Sequence, residues 1–351
     1  MRRGKGLVVG VVGATGMVGR ELVSLLDKRG FPVAELRPFS SGRAKSHVIF
    51  RGRRIPAPGV SKESLEACDI AFLVSSDEVA LELAPALAKK GVWTIDDSAA
   101  FRMDKSVPLV IPEVNSHELS PKRRLIAGPN CTMTGLAVAG SLLHSKIGIR
   151  EIRLASYQAV SGAGKAALGE LFGQYDELKG TKTLADGRAP VLGAGKSAVL
   201  PKSIAYNVIP QVGRFGDDGY SGEERKVAAE LRKVWGAPNL KISATTVRVP
   251  SIRGHALAAW ITLARSVSLE KVRAILKKTP GLVLSAEGTT RRRAPRPDRA
   301  RSTPAGCAAA RRRTSSRSGS SPTTCSRAPR STPSRSPSPC AAAAGFNTLK
   351  S

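Results

Sequence analysis

The chain has 351 residues, of which 41% are hydrophobic, and its formal net charge is +29. This length allows two domains with sizeable cores, and no apolar run approaches the ~20 residues that a membrane-spanning helix requires. The five cysteines are irregularly spaced, which argues against both a disulfide framework and a zinc motif. Composition therefore predicts a cytoplasmic protein that neither spans a membrane nor needs a metal.

The positive charge is unevenly distributed along the chain. Residues 289–351 contain 14 Lys and Arg and one acid, Asp298, so they contribute +13 of the total. This segment consists mainly of Arg, Ser, Pro and Ala, and Phe346 is its only aromatic residue. Such a composition cannot bury enough apolar surface to offset chain entropy, so we predict a disordered basic tail. Nucleic acid is an alternative partner for this tail alone.

The first element is a strand that leads into a glycine loop. Leu7 to Val12 is a continuous apolar run typical of a strand buried on both faces, and GATGMVG follows at residues 13–19. Leucines at helical spacing then predict a helix over residues 20–28. A strand, a glycine loop and a helix in this order predict a dinucleotide site, in which the pyrophosphate lies at the helix N-terminus. The alternative is a plain glycine turn.

A second strand, predicted over residues 33–36, leads into the basic loop FSSGRAK at residues 39–45. An NAD site usually has an Asp or Glu at this point, which binds the ribose 2′-hydroxyl. This loop has no acid, whereas Ser41 and Arg43 could bind a 2′-phosphate, and the loop therefore favours NADP. The alternative is a solvated basic loop.

Strands and helices continue to alternate, as in a doubly wound α/β fold. We predict strands over residues 69–75 and 92–96 and a helix over residues 78–89 between them. Arg102 follows the second of these strands, where it could bind a phosphate or carboxylate, although a loop arginine is often only solvated. Cys68 precedes a buried strand and is expected to be an inert thiol.

Cys131 lies in the run AGPNCT, where an apolar strand-like stretch ends and a helix-like stretch begins. A thiol at a helix N-terminus meets free backbone N–H groups and the positive end of the helix dipole. We therefore expect a lowered pKa and a nucleophilic thiolate at Cys131. The alternative is a buried cysteine that fills core space.

Three polar residues in the second half of the chain are further candidates. Gln158 follows a strand predicted from residue 149, and its amide could orient a carbonyl or be an ordinary loop hydrogen-bonding group. Arg248 lies inside a half-buried strand predicted over residues 241–249, where a charge needs a partner, either an anionic substrate or a structural acid. His255 follows Gly254 and is the only histidine beside another candidate residue.

Seven segments, in chain order, closely resemble the aspartate-semialdehyde dehydrogenase family: GATGMVG, DDSAAFRM, GPNCT, SYQAVSGAGK, YNVIP, EERK and TVRVPSIRGH. The resemblance extends over residues 7–285. Related acyl-phosphate reductases share a glycine loop and a catalytic cysteine. At the position of NCT in this chain, N-acetyl-glutamyl-phosphate reductase typically has GCYPT and glyceraldehyde-phosphate dehydrogenase has SCTTN. N-acetyl-glutamyl-phosphate reductase remains the nearest alternative.

The resemblance implies roles for particular residues. Cys131 matches the nucleophile and His255 the acid/base group. The substrate-binding positions are matched by Asn130, Gln158, Glu223 and Arg248, and the phosphate ligands by Arg102 and Lys226. The expected cofactor contacts are Gly13, Thr15, Gly16, Met17, Val18, Ser41, Arg43, Ser161 and Gly162.

The implied reaction is the NADPH-dependent reductive dephosphorylation of L-4-aspartyl phosphate to L-aspartate 4-semialdehyde. It proceeds through a thioacyl intermediate on Cys131 and requires no metal. In this family the product feeds the synthesis of diaminopimelate, lysine, threonine and methionine, and the enzyme is a homodimer or a tetramer.

The resemblance also implies three regions. Residues 1–129 are the expected Rossmann-type NADP-binding domain and residues 130–288 the α+β catalytic and dimerisation domain. Members of the family continue with two apolar strands and a final helix, none of which can be recognised in residues 289–351. The composition of this tail is typical of a GC-rich frame translated out of register, and a frameshift near residue 288 is one hypothesis. The alternatives are an enzyme with a genuine basic extension and an inactive cofactor-binding remnant.

Overall fold

The computed structural model describes residues 6–179 and 197–285, and the backbone of residues 343–349. The first half is built around a five-stranded sheet in the order β2-β1-β5-β6-β7, in which all paired strands are parallel. Its elements are β1 (Leu7–Val12), α1 (Met17–Lys28), β2 (Val33–Phe39), β3 (His47–Phe50), β4 (Arg53–Pro56), α2 (Lys62–Glu66), β5 (Ile70–Leu73), α3 (Asp77–Lys89), β6 (Trp93–Asp96), α4 (Pro112–Asn115) with a following 3₁₀ turn (Ser116–Glu118), and β7 (Leu125–Ala127).

The strand β1 lies inside this sheet, between β2 and β5, and its apolar side chains are buried. The chain passes from β1 to β2 on one side and to β5 on the other, so the strand order reverses at β1. In open α/β sheets, ligands bind beyond the carboxyl end of the strands at such a reversal. The glycine loop of residues 13–19 lies at this position.

The second half forms a four-stranded sheet in the order β11-β10-β8-β9, in which only the β8–β9 pair is parallel. Its elements are α5 (Cys131–Ile147), β8 (Ile149–Ala159), a 3₁₀ turn (Val160–Ala163), α6 (Gly164–Leu178), α7 (Gly222–Val234), β9 (Lys241–Val249), β10 (His255–Leu263), α8 (Leu269–Lys278) and β11 (Ala343–Leu349).

The helix α5 connects the two sheets. Its residues Met133 and Leu136 belong to one cluster of buried side chains with Leu73 of the first sheet and Ile152 of the second. The start of α5 is therefore fixed from both sides, and this start carries Cys131.

Several elements are longer than predicted. The helix α1 begins at Met17 because Gly16 is its N-cap, and β8 continues to Ala159. No strand is predicted from the sequence at Ala343–Leu349, yet this segment pairs antiparallel with β10, from Trp260 opposite Ala343 to His255 opposite Leu349. The sheet edge expected to be left open by missing strands is thus paired. The rest of the predicted disordered tail lies outside the described residues.

Candidate active site

Cys131 is the first residue of α5, directly after the short loop that follows β7. Asn130 caps this helix: its Oδ1 accepts from the backbone N–H groups of Thr132 at 2.7 Å and Met133 at 3.3 Å. The predicted position at a helix N-terminus is therefore confirmed. Cys131 is partly buried, and it is one of two free cysteines in the described part of the chain.

The expected lowering of the Cys131 pKa is wrong for this structure. Burial is the largest influence and raises the pKa of the thiol, and the negative charge of Glu223 raises it further. Hydrogen bonding to Thr132 and the charge of Arg102 act in the opposite direction but are smaller. Sequence reasoning could identify the helix start but not the carboxylate that the fold brings near it.

His255 lies beside Cys131, with 3.3 Å between its Nε2 and the sulfur Sγ. Its other ring nitrogen, Nδ1, accepts the backbone N–H of Ala159 at 3.0 Å. The proton of the neutral ring therefore lies on Nε2, facing the sulfur. Burial, with the charge of Arg248 as a second cause, lowers the pKa of His255 to about 4, so the ring is neutral at neutral pH.

Glu223, in the first turn of α7, connects three other site residues. Its Oε1 accepts from Thr132 Oγ1 at 2.9 Å, Asn130 Nδ2 at 3.1 Å and Gln158 Nε2 at 3.3 Å. Gln158 is buried near the end of β8, as predicted. These contacts place a carboxylate, an amide and the helix start around one point next to Cys131.

Arg248 lies opposite Gln158 in the β8–β9 register, so parallel pairing sets the two side chains side by side. Its Nη1 donates to the carbonyl oxygen of Ala159 at 2.7 Å, and burial lowers the pKa of its guanidinium. A Cβ at Gly162 would lie 3.0 Å from Nη1 and 3.4 Å from the His255 ring, so this turn lies in tight contact with both side chains. The guanidinium and the imidazole are thus packed against the same short turn.

Arg102 is buried in the loop after β6 rather than solvated. Its Nη1 contacts Glu230 Oε1 at 3.2 Å, and its Nη2 donates to the carbonyl oxygen of Asp97 at 2.7 Å. Its Nε is buried without a hydrogen-bond partner among the described residues. A buried N–H donor with no acceptor is costly, and an anion at this position would satisfy it.

Glu230 is a site residue that the sequence analysis does not predict. It lies on α7 seven residues, or about two turns, beyond Glu223, a spacing that places both carboxylates on one helix face. Lys226 lies between them along this helix, with its side chain exposed. The heptad spacing of Glu223 and Glu230 is the signal that could have identified the second carboxylate.

The glycine loop after β1 fits a dinucleotide. Gly13 has a φ of +78°, and a Cβ there would lie 2.1 Å from the carbonyl oxygen of Val74. A Cβ at Gly19 would lie 2.2 Å from the carbonyl oxygen of Gly13, so the helix packs directly on the loop. The N-terminus of α1 has neither a side-chain cap nor an acid in its first turn, which leaves its N–H groups available to an anion.

The other predicted cofactor contacts lie on two separate segments, the loop after β2 and the 3₁₀ turn after β8. Ser41 and Arg43 are exposed in the loop after β2, where residues 40–46 include no acid. Ser161 lies in the 3₁₀ turn after β8, and its Oγ is buried without a partner among the residues described. Ser75, which sequence reasoning missed, has a similarly unpartnered Oγ just after β5. Unpartnered hydroxyls at these strand ends fit a bound ligand.

Metal-binding clusters and membrane-spanning helices are both absent from residues 6–179 and 197–285. No group of three or more His, Cys, Asp or Glu residues in this part of the chain could bind a metal ion. No helix within the same residues is long and apolar enough to cross a membrane.

Two family matches cover most of the chain. Residues 8–121 match the semialdehyde dehydrogenase NAD binding domain, and residues 141–320 match the semialdehyde dehydrogenase dimerisation domain. The fold and the site thus define a two-domain semialdehyde dehydrogenase, an oxidoreductase with a nicotinamide dinucleotide domain.

Curated relatives and solved structures specify the family further. Over 283 residues the chain is 38% identical to aspartate-semialdehyde dehydrogenase of Aquifex aeolicus, with 80% of both chains covered. It is 37% identical to the Bacillus subtilis enzyme, with 80% of this chain and 81% of that one covered. The crystal structure of aspartate semialdehyde dehydrogenase II from Vibrio cholerae matches with a TM-score of 0.71 and 33% identity, covering 81% of this chain and 86% of that one. The chain belongs to the aspartate-semialdehyde dehydrogenase family.

Proposed function

We propose that this chain catalyses the NADPH-dependent reductive dephosphorylation of L-4-aspartyl phosphate to L-aspartate 4-semialdehyde. The observation that carries the proposal is the 3.3 Å contact between Cys131 Sγ and His255 Nε2 at the start of α5. The name aspartate-semialdehyde dehydrogenase, which the relatives carry, supports this choice of substrate, and one Vibrio cholerae structure is described as complexed with ASA. The product would serve the biosynthesis of diaminopimelate, lysine, threonine and methionine.

The polar groups around Cys131 match the two ends of this substrate. We assign the substrate α-carboxylate to the buried guanidinium of Arg248 and the α-amino group to Glu223. Asn130 and Gln158 already contact Glu223 and would orient the reacting carbonyl. Fixing the far end of the substrate makes the attack by sulfur effectively intramolecular.

We assign the phosphate group to Arg102 and Lys226. The unpartnered Nε of Arg102 supports this assignment, because it is a buried donor near the sulfur without an acceptor. Lys226 is exposed one turn beyond Glu223, where a flexible ammonium can reach an anion at the mouth of the site.

The chemistry begins with the Cys131 thiolate. Attack on the acyl phosphate forms the C–S bond, and collapse of the tetrahedral oxyanion expels phosphate and leaves a thioester. NADPH, when bound, supplies a hydride to the thioester carbonyl. The resulting oxyanion expels the thiolate and leaves the aldehyde. In both steps the oxyanion re-forms its C=O bond as the leaving group departs, so its oxygen does not have to be protonated.

His255 fits this sequence as a hydrogen-bond donor. Its Nε2–H faces the sulfur and can stabilise both the thiolate and the developing oxyanion. To accept the proton of the resting thiol, Nε2 must first lose its own proton, with Nδ1 becoming protonated instead. Nδ1 can carry a proton only when the Ala159 N–H no longer donates to it. We therefore propose that the acid/base role of His255 is confined to the ionisation of Cys131, and that hydrogen bonding supports the later steps.

The cofactor preference we propose is NADP. The loop with Ser41 and Arg43 supports it, because it offers a guanidinium and no acid at the position after the second strand where the ribose of a bound dinucleotide would be expected. Gly13, Thr15, Gly16, Met17 and Val18 would surround the pyrophosphate, with Ser161 and Gly162 near the nicotinamide end.

We also propose a cytoplasmic homodimer. The match to a dimerisation domain and the exposed aromatic residues on the outer face of the second sheet, Tyr157 and Trp260, support self-association. A tetramer would be a pair of such dimers. Free thiols at Cys68 and Cys131 fit a reducing compartment.

The test is an assay in the phosphorylating direction with purified protein, aspartate semialdehyde, inorganic phosphate and NADP. We expect reduction of NADP that requires phosphate and is faster than reduction of NAD. A rate that is independent of phosphate, or one seen only with N-acetyl-glutamate semialdehyde, would reject the proposed reaction.

A further inference from the structure

Glu230 links the proposed phosphate site to the start of the catalytic helix. It is 1% exposed, and both of its carboxylate oxygens are engaged by the site. Oε1 contacts Arg102 Nη1 at 3.2 Å, and Oε2 accepts the backbone N–H of Asn130 at 2.7 Å. One side chain thus touches both the guanidinium assigned to phosphate and the residue before Cys131.

The burial of a charged carboxylate at Glu230 is unfavourable, and stability alone does not explain it. Burial raises the pKa of Glu230, which shows that its charged form is disfavoured by its surroundings. Replacing a buried ion pair by apolar residues is often neutral or stabilising, so such a pair is weak support for stability. A role in geometry accounts better for a carboxylate at this position.

The same helix also fixes the loop that carries Arg102. Lys233 lies near the end of α7, and its Nζ donates to the carbonyl oxygens of Arg102 at 2.8 Å, Asp104 at 2.6 Å and Val107 at 2.9 Å. One rigid helix therefore fastens both the backbone and the guanidinium of Arg102, while it also holds the N-cap of α5.

We propose that Glu230 is a positioning residue, which sets the distance and orientation between Arg102 and the Cys131 end of α5. Glu230 would thereby fix the position of the leaving phosphate relative to the attacking sulfur. The inference rests on the proposed function, in which Arg102 binds phosphate and Cys131 attacks.

The test compares Glu230→Gln with a matched control, Glu224→Gln. Glu224 is also a buried carboxylate on α7, and it accepts the backbone N–H groups of Ser221 at 2.7 Å and Thr246 at 2.9 Å. It contacts neither Arg102 nor the start of α5. The two variants should therefore lose similar thermal stability, and only the change at Glu230 should affect phosphate.

We expect Glu230→Gln to raise the KM for inorganic phosphate by roughly tenfold, the loss expected for one charge-assisted contact. The KM for aspartate semialdehyde should change much less, and Glu224→Gln should change neither of these two KM values. In Arg102→Gln, adding the Glu230 change should have little further effect, because Glu230 acts through Arg102. Equal profiles for the two glutamate variants, or additive effects in the double variant, would overturn the inference.

A measurement without turnover separates this inference from the proposed function. Inorganic phosphate should slow alkylation of Cys131 by iodoacetamide in the unmodified chain and in Glu224→Gln, and much less in Glu230→Gln. Protection that is equal in all three proteins would reject the role of Glu230 and leave the phosphate site intact. If phosphate gave no protection even in the unmodified chain, the phosphate site would be rejected, and the inference with it.

Discussion

At the scale of single residues, Cys131 is subject to opposing influences. Thr132 and Arg102 favour the thiolate, whereas burial and the Glu223 carboxylate favour the thiol, and the net effect of these groups is to raise the pKa of Cys131. A buried active-site carboxylate near a nucleophilic sulfur is unfavourable for ionisation until a cation arrives. The α-amino group that we assign to Glu223 would supply that cation, so substrate binding and thiolate formation are coupled.

This coupling predicts the effect of Glu223→Gln. Removing the negative charge should lower the pKa of Cys131, because the Glu223 charge is one of the causes that raise it. The pH dependence of iodoacetamide alkylation measures this shift when it is followed by mass spectrometry on the peptide that contains Cys131, because the chain has five cysteines. A midpoint that is unchanged or higher in the variant would contradict the electrostatic account, and Glu224→Gln is the matched control.

His255 predicts a pH dependence of stability. Its pKa is lowered from 6.5 to about 4, so between these values the unfolded chain binds the proton more readily than the folded one. The stability is thus full above the unfolded pKa and falls as the pH drops toward 4. Relative to His255→Asn, the unmodified chain should lose about 2 kcal/mol of unfolding free energy between pH 7 and pH 5. Urea denaturation at both pH values measures the unfolding free energy of the two proteins. An equal loss in the unmodified chain and in His255→Asn would refute the prediction.

At the scale of elements, the sequence allowed most of the first sheet to be predicted. A buried strand such as β1 has a continuous apolar run, and the glycine loop follows it directly, so both can be recognised locally. The helix start at Cys131 could be placed for the same reason. What could not be predicted depends on contacts between distant segments: Glu230 meets Arg102 and Asn130 only after α7 packs beside α5. The raised pKa of Cys131 has the same origin.

The backbone geometry of the glycine loop predicts how well a side chain is tolerated at Gly13. Gly13→Ala should cost more stability than Gly30→Ala, although both residues have a positive φ, +78° and +60°. A Cβ at Gly13 would lie 2.1 Å from the carbonyl oxygen of Val74, whereas nothing lies within 4 Å of one at Gly30. We expect about 1 kcal/mol for the strain at Gly30 alone, and a larger loss together with weaker NADP binding at Gly13. Thermal unfolding and NADP titration test this, and equal losses would contradict it.

At the scale of the whole molecule, α5 joins both sheets into one core, and the second sheet ends in a strand from the basic tail. The family match to residue 320 extends beyond the point at which the motifs end. Composition alone could not predict the pairing of Ala343–Leu349 with β10, because strand pairing at an open edge uses backbone groups and needs little from the side chains.

Deletion of residues 341–351 tests the contribution of this strand. It would leave the outer edge of β10 unpaired, beginning at His255, and unpaired edges promote association with other chains. We expect increased light scattering and a lower midpoint of thermal unfolding than in the full chain. A truncated protein with unchanged scattering and an unchanged midpoint would show that β11 contributes nothing to the sheet.

In the proposed reaction, Cys131 carries the acyl group. The most direct measurement is intact and peptide mass spectrometry after incubation with aspartate semialdehyde and NADP in the absence of phosphate, followed by an acid quench. We expect an aspartyl thioester on the peptide that contains Cys131, its loss on addition of phosphate, and no adduct in Cys131→Ala. An adduct on another residue such as Cys68, or phosphate-dependent NADP reduction by Cys131→Ala, would contradict it.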